Sequence, residues 1–166
     1  SDYWQFYRPF PDIKRFRQDI LEAELVLGPN QKMKYSNYGY NLLGMVVAAI
    51  SRQEYRDYVQ LNIIKPLGLN NTYPEYSNLI AGRMATGYSR KVLGDERQPV
   101  SNFDSLAETP AAGFCSNAED LCKYFTAHIV GSGKLLNDKS KREMQCRAWK
   151  VEHTKDKEEY GLGIKI

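Results

Sequence analysis

With 166 residues and a mass of 19.1 kDa, the chain has room for one domain with a genuine core, because a domain of that size buries roughly 70% of its unfolded surface. A hydrophobic fraction of 42%, an aromatic fraction of 12% and a charged fraction of 26% exclude disordered, collagen-like and disulfide-scaffold classes. Lys and Arg number 23 against 20 Asp and Glu, and the resulting net charge of +3 is too small to call for nucleic acid or another polyanionic partner.

The first periodic segment runs from Ile13 to Leu25, where Ile13, Phe16, Ile20 and Leu21 recur near helical spacing behind Pro11 and Asp12. Gly28-Pro29-Asn30 stops it. From Tyr38 to Ile50 apolar residues cover nearly every side of a helix, which predicts a central helix buried on most faces. Its apolar core, Leu42 to Ile50, is nine residues long, about half of the ~18 needed to cross a bilayer, so no membrane span is expected. A third helix is predicted over about Glu54 to Ile64, ending at Lys65-Pro66-Leu67-Gly68, because Pro66 disfavours the α region at the residue before it. Asn70 to Asp104 carry many turn formers, and one short strand near Thr86 to Ser89 is expected there.

Ser116-Asn117-Ala118-Glu119 has the pattern of a capping box, with Ser116 as the cap. Ala118, Leu121, Cys122, Phe125 and Ile129 then form one apolar stripe. A short helix is predicted over Asp138 to Cys146. Ala148 to His153 and Tyr160 to Ile166 bracket a charged loop and read as a hairpin. The fold class expected is mainly α with a short C-terminal β-hairpin, in a single domain over residues 1–166. The basic triplets Lys14, Arg15, Arg17 and Lys139, Lys141, Arg142 are read as solvated helix faces.

Chemistry is sparse on the level of single residues. His128 lies between Phe125 and Ile129 on a helix and His153 stands 25 residues on, and both read as structural or surface groups. Cys115, Cys122 and Cys146 are an odd number with no Cys-x-x-Cys pair, so a zinc site is not expected, and Cys115 and Cys122 read as buried small hydrophobes. Gly131-Ser132-Gly133-Lys134 lacks the strand before it and the Ser or Thr after it that a phosphate loop needs, and reads as a helix C-terminal turn. No metal and no cofactor is implied.

Tyr35-Ser36-Asn37 taken alone is a polar turn before the central helix, with Ser36 or Asn37 as N-cap. Its surroundings say more. The run Tyr35 to Gly44, then Pro66 to Thr72, Thr86-Gly87-Tyr88, Ala111 to Leu121 and Tyr160-Gly161-Leu162-Gly163 together resemble the serine β-lactamase-like hydrolases, which include class C β-lactamases, penicillin-binding proteins, D-aminopeptidases and esterases. The resemblance covers Gly28 to Ile166, with residues 1–27 as an N-terminal helix region. Arg52 stands where many relatives have Gly after the central helix, and Ala112 where a second Gly is usual.

The resemblance implies a helical region of the transpeptidase-like fold. It implies that Tyr35 relays the proton of a nucleophilic serine and that Asn37 hydrogen-bonds the acyl side of a substrate. An ordinary Tyr pKa near ~10 means that such a role needs cations nearby or a relay shared with a lysine. The family draws these from a Ser-x-x-Lys motif and a Lys-Thr-Gly or His-x-Gly strand. No serine here is followed three residues on by Lys, and neither strand motif occurs, so this chain holds no nucleophile. The chain opens Ser-Asp-Tyr-Trp with no initiator Met and no signal peptide, and the expectation is an internal piece of a longer enzyme, inactive alone. The parent's substrates would be small acyl compounds or peptidoglycan-like peptides, its compartment by resemblance the cell envelope or outside the cell. The rival expectation is a non-catalytic binding or scaffold protein of the same descent. Apolar surface left uncovered leads to an expectation of self-association.

Overall fold

A computed structural model describes residues 9–91, 94, 96–151 and 158–166. Seven short helices and two two-stranded sheets are found among the described residues, in the order α1 (Ile13–Glu22), α2 (Asn37–Ser51), α3 (Tyr55–Val59), α4 (Lys65–Leu67), β1 (Gly87–Tyr88), β2 (Pro99–Val100), α5 (Thr109–Ala112), α6 (Ala118–Ala127), α7 (Asp138–Gln145), β3 (Trp149–Lys150) and β4 (Glu159–Tyr160). A π-helical stretch, Gln60–Ile64, joins α3 to α4 without a break.

Helix α1 starts where its side chains say it should, with the Asp12 carboxylate accepting the Arg15 N–H at 2.8 Å. It ends at Glu22, short of the expected Leu25, and of its apolar residues only Phe16 is buried, against the Tyr38 ring at 5.2 Å. The helix after it is capped by Ser36, whose Oγ accepts the Gly39 N–H at 3.2 Å. Past its last turn Arg52 takes the left-handed conformation, φ 56° and ψ 32°, which glycine adopts without strain.

The expectation that α2 is buried on most faces is corrected. Its buried residues are Asn37, Asn41 and Gly44, whereas Leu43 is 58% and Ile50 80% exposed. Hydrophobic periodicity identified the helix but not the side that packs. The packing side is the small and polar one, because it lets α5 come close. A Cβ built on Gly44 would stand 2.2 Å from Pro110 Cγ, inside any van der Waals contact.

The third helix also runs beyond its expected end. Lys65 is helical at φ −62° and ψ −50° in front of Pro66, although that residue is normally pushed out of the α region. The π turn supplies the reason: the Lys65 N–H reaches back five residues to the Gln60 carbonyl, and the widened turn gives the proline ring, which has no N–H to place, room it would lack in an α-helix. The stop comes at Gly68, φ 63°, where the Gly68 and Leu69 N–H groups bond back to the Lys65 and Ile64 carbonyls as a Schellman cap. Val59, Ile64 and Leu69 on this segment are the buried apolar cluster, with Tyr55, Tyr58, Ile63, Leu67 and Tyr124 packed on it.

The irregular stretch holds the expected strand, β1, and also β2, which pairs with it antiparallel. Residues 106–112 form a 3-10 turn and α5 that sequence periodicity did not reveal. The cap of α6 is Asn117, accepting the Asp120 N–H at 2.9 Å, and not Ser116, whose hydroxyl is engaged with Thr72 at 2.8 Å. The stripe on α6 is open as well, with Phe125 66% exposed and Cys122 exposed, so Cys122 is no buried hydrophobe and Cys115 is one only in part.

Lys141 corrects the reading of its triplet. Lys139 and Arg142 are exposed, but Lys141 is wholly buried, donating to Ser132 Oγ at 2.6 Å and to the Ile129 carbonyl at 3.3 Å beyond the C-terminal end of α6. A cation there meets the negative end of the helix. Strand β3 pairs antiparallel with β4, Trp149 opposite Tyr160; their connection, with His153, lies outside the described residues.

Gly44→Ala should cost about 1–3 kcal/mol, since the added methyl can be housed only by moving α2 off α5. Urea denaturation with an unchanged slope reads this loss; full stability in the alanine variant would mean that the two helices do not meet here.

Candidate functional site

Tyr35 is the last extended residue but one before α2, and Asn37 is the first residue of the helix. The Ser36 cap between them fixes the turn, and the two neighbours differ in access: Tyr35 is 55% exposed and Asn37 4%. Tyr35 is therefore the accessible member of the pair. Among the described residues no hydrogen bond or ion pair reaches its hydroxyl.

Two further stretches from the resemblance come together away from that turn. Asn71 and Thr72, after the Schellman cap, meet the first turn of α6, where Asp120 is wholly buried. Its Oδ2 accepts the Asn71 N–H at 2.6 Å and the Thr72 hydroxyl at 3.0 Å, and its Oδ1 lies 3.5 Å from the Lys123 ammonium. Tyr73 and Cys115 exchange both backbone hydrogen bonds beside this cluster, at 2.8 and 2.9 Å. Burial would raise the Asp120 pKa, but the Asn71 N–H, the Thr72 hydroxyl and Lys123 outweigh it and hold the carboxyl below its ordinary range. Burial pushes the Cys115 thiol up, away from a thiolate nucleophile.

The Tyr160-Gly161-Leu162-Gly163 stretch turns tightly, with the Gly161 N–H on the Ile164 carbonyl at 2.8 Å and the Leu162 N–H on the Met144 carbonyl at 2.9 Å. Both glycines are needed. A Cβ on Gly161 would lie 2.1 Å from the Met144 carbonyl oxygen, and Gly163 has φ 76°. That second glycine stands beside α2, since a Cβ on it would be 3.7 Å from the Tyr40 hydroxyl. The C-terminal turn thus returns to the helix that carries Asn37.

The sequence profile of the family described as Beta-lactamase matches residues 1–166. The chain belongs to the Beta-lactamase family. Protein flp of Staphylococcus aureus strain NCTC 8325 / PS 47 is 31% identical over 103 residues, which are 61% of this chain and 20% of that protein. A solved penicillin-binding protein of Bacillus halodurans superimposes with a TM-score of 0.75 at 22% identity, covering 98% of this chain and 49% of that one. A D-stereospecific amidohydrolase of Streptomyces superimposes with a TM-score of 0.69 at 25% identity, over 86% of this chain and 42% of that one. The Beta-lactamase-family chain described here therefore spans about a fifth of the length of the curated relative and less than half of either solved neighbour.

His128 has the structural role read for it, with Nδ1 2.9 Å from the Tyr124 carbonyl and its ring edge-on to Tyr124 at 4.6 Å. Asn41 and Asp120 were given no role by sequence reasoning. Each carried a signal: a polar residue within an otherwise apolar helix, and an acid on the polar side of a helix whose neighbouring loop offers free N–H groups.

Because the folded Asp120 pKa lies below the unfolded value near 3.8, the unfolded chain binds the extra proton in that range. Its stabilisation is present above that value and is lost as pH falls through the lower folded value. Asp120→Asn should melt lower than wild type at neutral pH, and its melting temperature should change less between about pH 5 and pH 2. Parallel pH profiles for the two proteins would show that the Asp120 carboxyl titrates alike in the folded and unfolded chain.

Proposed function

We propose that this chain is the mostly helical part of a serine acyl-transfer enzyme that hydrolyses amide, ester or β-lactam carbonyls. The observation that carries the reading is the exposed Tyr35 hydroxyl held one residue before a capped helix whose first residue is Asn37. The likeness to a D-stereospecific amidohydrolase and a penicillin-binding protein supports it.

In the reaction, a serine from outside this chain attacks the carbonyl carbon. Tyr35, its own proton drawn off by a lysine or other cation from outside this chain, takes the serine proton as the phenolate while the tetrahedral adduct forms and passes it to the leaving nitrogen or oxygen as that bond breaks. Water then attacks the acyl ester, giving its proton to Tyr35 and releasing the acid, and the serine recovers its proton. Asn37 hydrogen-bonds the acyl side of the substrate. Substrates are small acyl compounds, or peptides of the peptidoglycan kind. No metal ion enters these steps.

The chain alone should show no saturable turnover of a nitrophenyl ester or a chromogenic cephalosporin, and no acyl adduct by mass spectrometry. A stable adduct on any of its serines would overturn the division of labour. In a longer protein that supplies the nucleophile, Tyr35→Phe should lower kcat by roughly 10²- to 10⁴-fold, with little change in melting because the lost hydroxyl is exposed. Full activity with a loss of several degrees in melting would make Tyr35 a structural residue.

We also propose that the isolated chain self-associates. Leu43, Val46 and Ile50 on α2, Leu121 and Phe125 on α6, Ile129 just after it, and Leu162 and Ile166 at the C-terminal end are all exposed. Burying a few hundred Å² of such surface at about 25 cal/mol per Å² offsets part of the entropy of association. Light scattering over a hundredfold dilution should show mass rising with concentration; a monomer throughout, with no binding of a hydrophobic dye, would refute it.

A further inference from the structure

Asn41 stands one helical turn after Asn37, so the two side chains share the face of α2 that turns inward. It is wholly buried, where a side chain without polar atoms would leave no group to satisfy. Its Oδ1 accepts the Ala111 N–H of α5 at 3.1 Å, across 70 residues of sequence. Its Nδ2 is buried with no partner among the described residues, so the position carries a desolvation cost that a leucine would not.

What that cost obtains is direction. One turn further along, Gly44 meets the Pro110 ring, and an apolar contact of that kind is non-directional. The outer side of α2 gives little hold, since Leu42, Leu43, Val46 and Ile50 are exposed. A hydrogen bond of fixed length and angle between Asn41 and Ala111 sets both the rotation of α2 about its axis and its height against α5. Everything on the first turn moves with that setting, including the Ser36 cap on Gly39.

We propose that Asn41 is a positioning residue for the site formed by Tyr35 and Asn37, acting through its hydrogen bond to the Ala111 N–H. The inference rests on the reading of Tyr35 and Asn37 as a functional pair. Asn41 touches no substrate; it determines where the pair stands.

The test uses three variants of this chain, with Tyr35 ring and Asn37 side-chain amide resonances and the exchange rate of the Gly39 N–H as readouts. Asn41→Leu keeps the volume and removes the acceptor; it should shift both resonances and speed Gly39 exchange about tenfold. Asn41→Asp, read at a pH low enough to keep the buried carboxyl protonated, keeps a neutral acceptor oxygen and should restore the wild-type positions. Ile64→Val, a loss in the apolar cluster away from α2, should lower melting and leave the readouts in place. Should the leucine variant fail to fold, Asn41→Ser, whose hydroxyl is too short to reach Ala111, is read in the same way. A folded Asn41→Leu or Asn41→Ser with wild-type resonances and exchange overturns the proposal, as does an equal disturbance by Ile64→Val. In a longer protein with the nucleophile, Asn41→Leu should lower kcat by up to about 10²-fold. If Asn41→Leu keeps full kcat while Tyr35→Phe loses it, positioning fails and the site stands; if Tyr35→Phe keeps it, the site itself fails.

Discussion

Helix α2 can meet α5 only because Gly44 has no side chain and Asn41 has the right one. With a Cβ at position 44 displaced to 2.2 Å from Pro110, the two helices would have to part. With no acceptor at position 41, the Ala111 N–H would lose its partner at 3.1 Å. Close approach and polar anchoring occur on adjacent turns of one helix face, so the contact is both short and directional. The Tyr35 to Asn37 turn lies at the end of that face, and its placement follows from it. The surrounding links extend the same constraint: Glu75 accepts from Arg56 at 2.9 Å and from Thr109 at 3.3 Å, tying α3 to the start of α5.

The second anchor is the buried carboxylate of Asp120. A lone charge in that position would be prohibitive, and the backbone N–H of Asn71, the Thr72 hydroxyl and Lys123 make it tolerable. The stretch around Asn70 to Tyr73 has no regular structure of its own to satisfy its backbone groups. Asp120 and the Tyr73 to Cys115 bridge supply the partners from the segment that leads into α6. The two stretches thus satisfy each other's backbone and buried polar groups.

The apolar residues are distributed in an unusual way. Helices α2 and α6 turn small and polar groups towards the rest of the described chain and leave Leu43, Ile50, Leu121 and Phe125 outside. Val59, Ile64 and Leu69 form the buried apolar cluster, and Phe16, Ile80, Ala127 and Val151 are buried apart from it. The charge inside is handled by hydrogen bonds rather than by apolar exclusion, as the buried Lys141 with Ser132 and the Ile129 carbonyl also illustrates.

Local rules were legible in the sequence: the start of α1 behind Asp12, that of α2 at Ser36 or Asn37, the position of β1, the turn after α6, and the order of stretches that pointed to the family. These depend on interactions within a few residues, which composition and spacing encode directly. The accessible Tyr35 was legible only through that likeness. The sequence alone could not say which face of α2 packs, because hydrophobicity on every side leaves the choice to whatever neighbour comes nearest. It misplaced the cap of α6 because Ser116 and Asn117 are both competent, and Thr72, 44 residues away, claims the Ser116 hydroxyl. It ended the third helix before Pro66 because the five-residue hydrogen bond that makes room for the ring is a property of the folded turn. Lys141 looked like its exposed neighbours, and only the approach of the 129–132 turn buried it. Sequence determined where elements begin and what chemistry they carry; tertiary structure decided which side chains face inward, since that depends on partners distant in the chain whose approach no local pattern records.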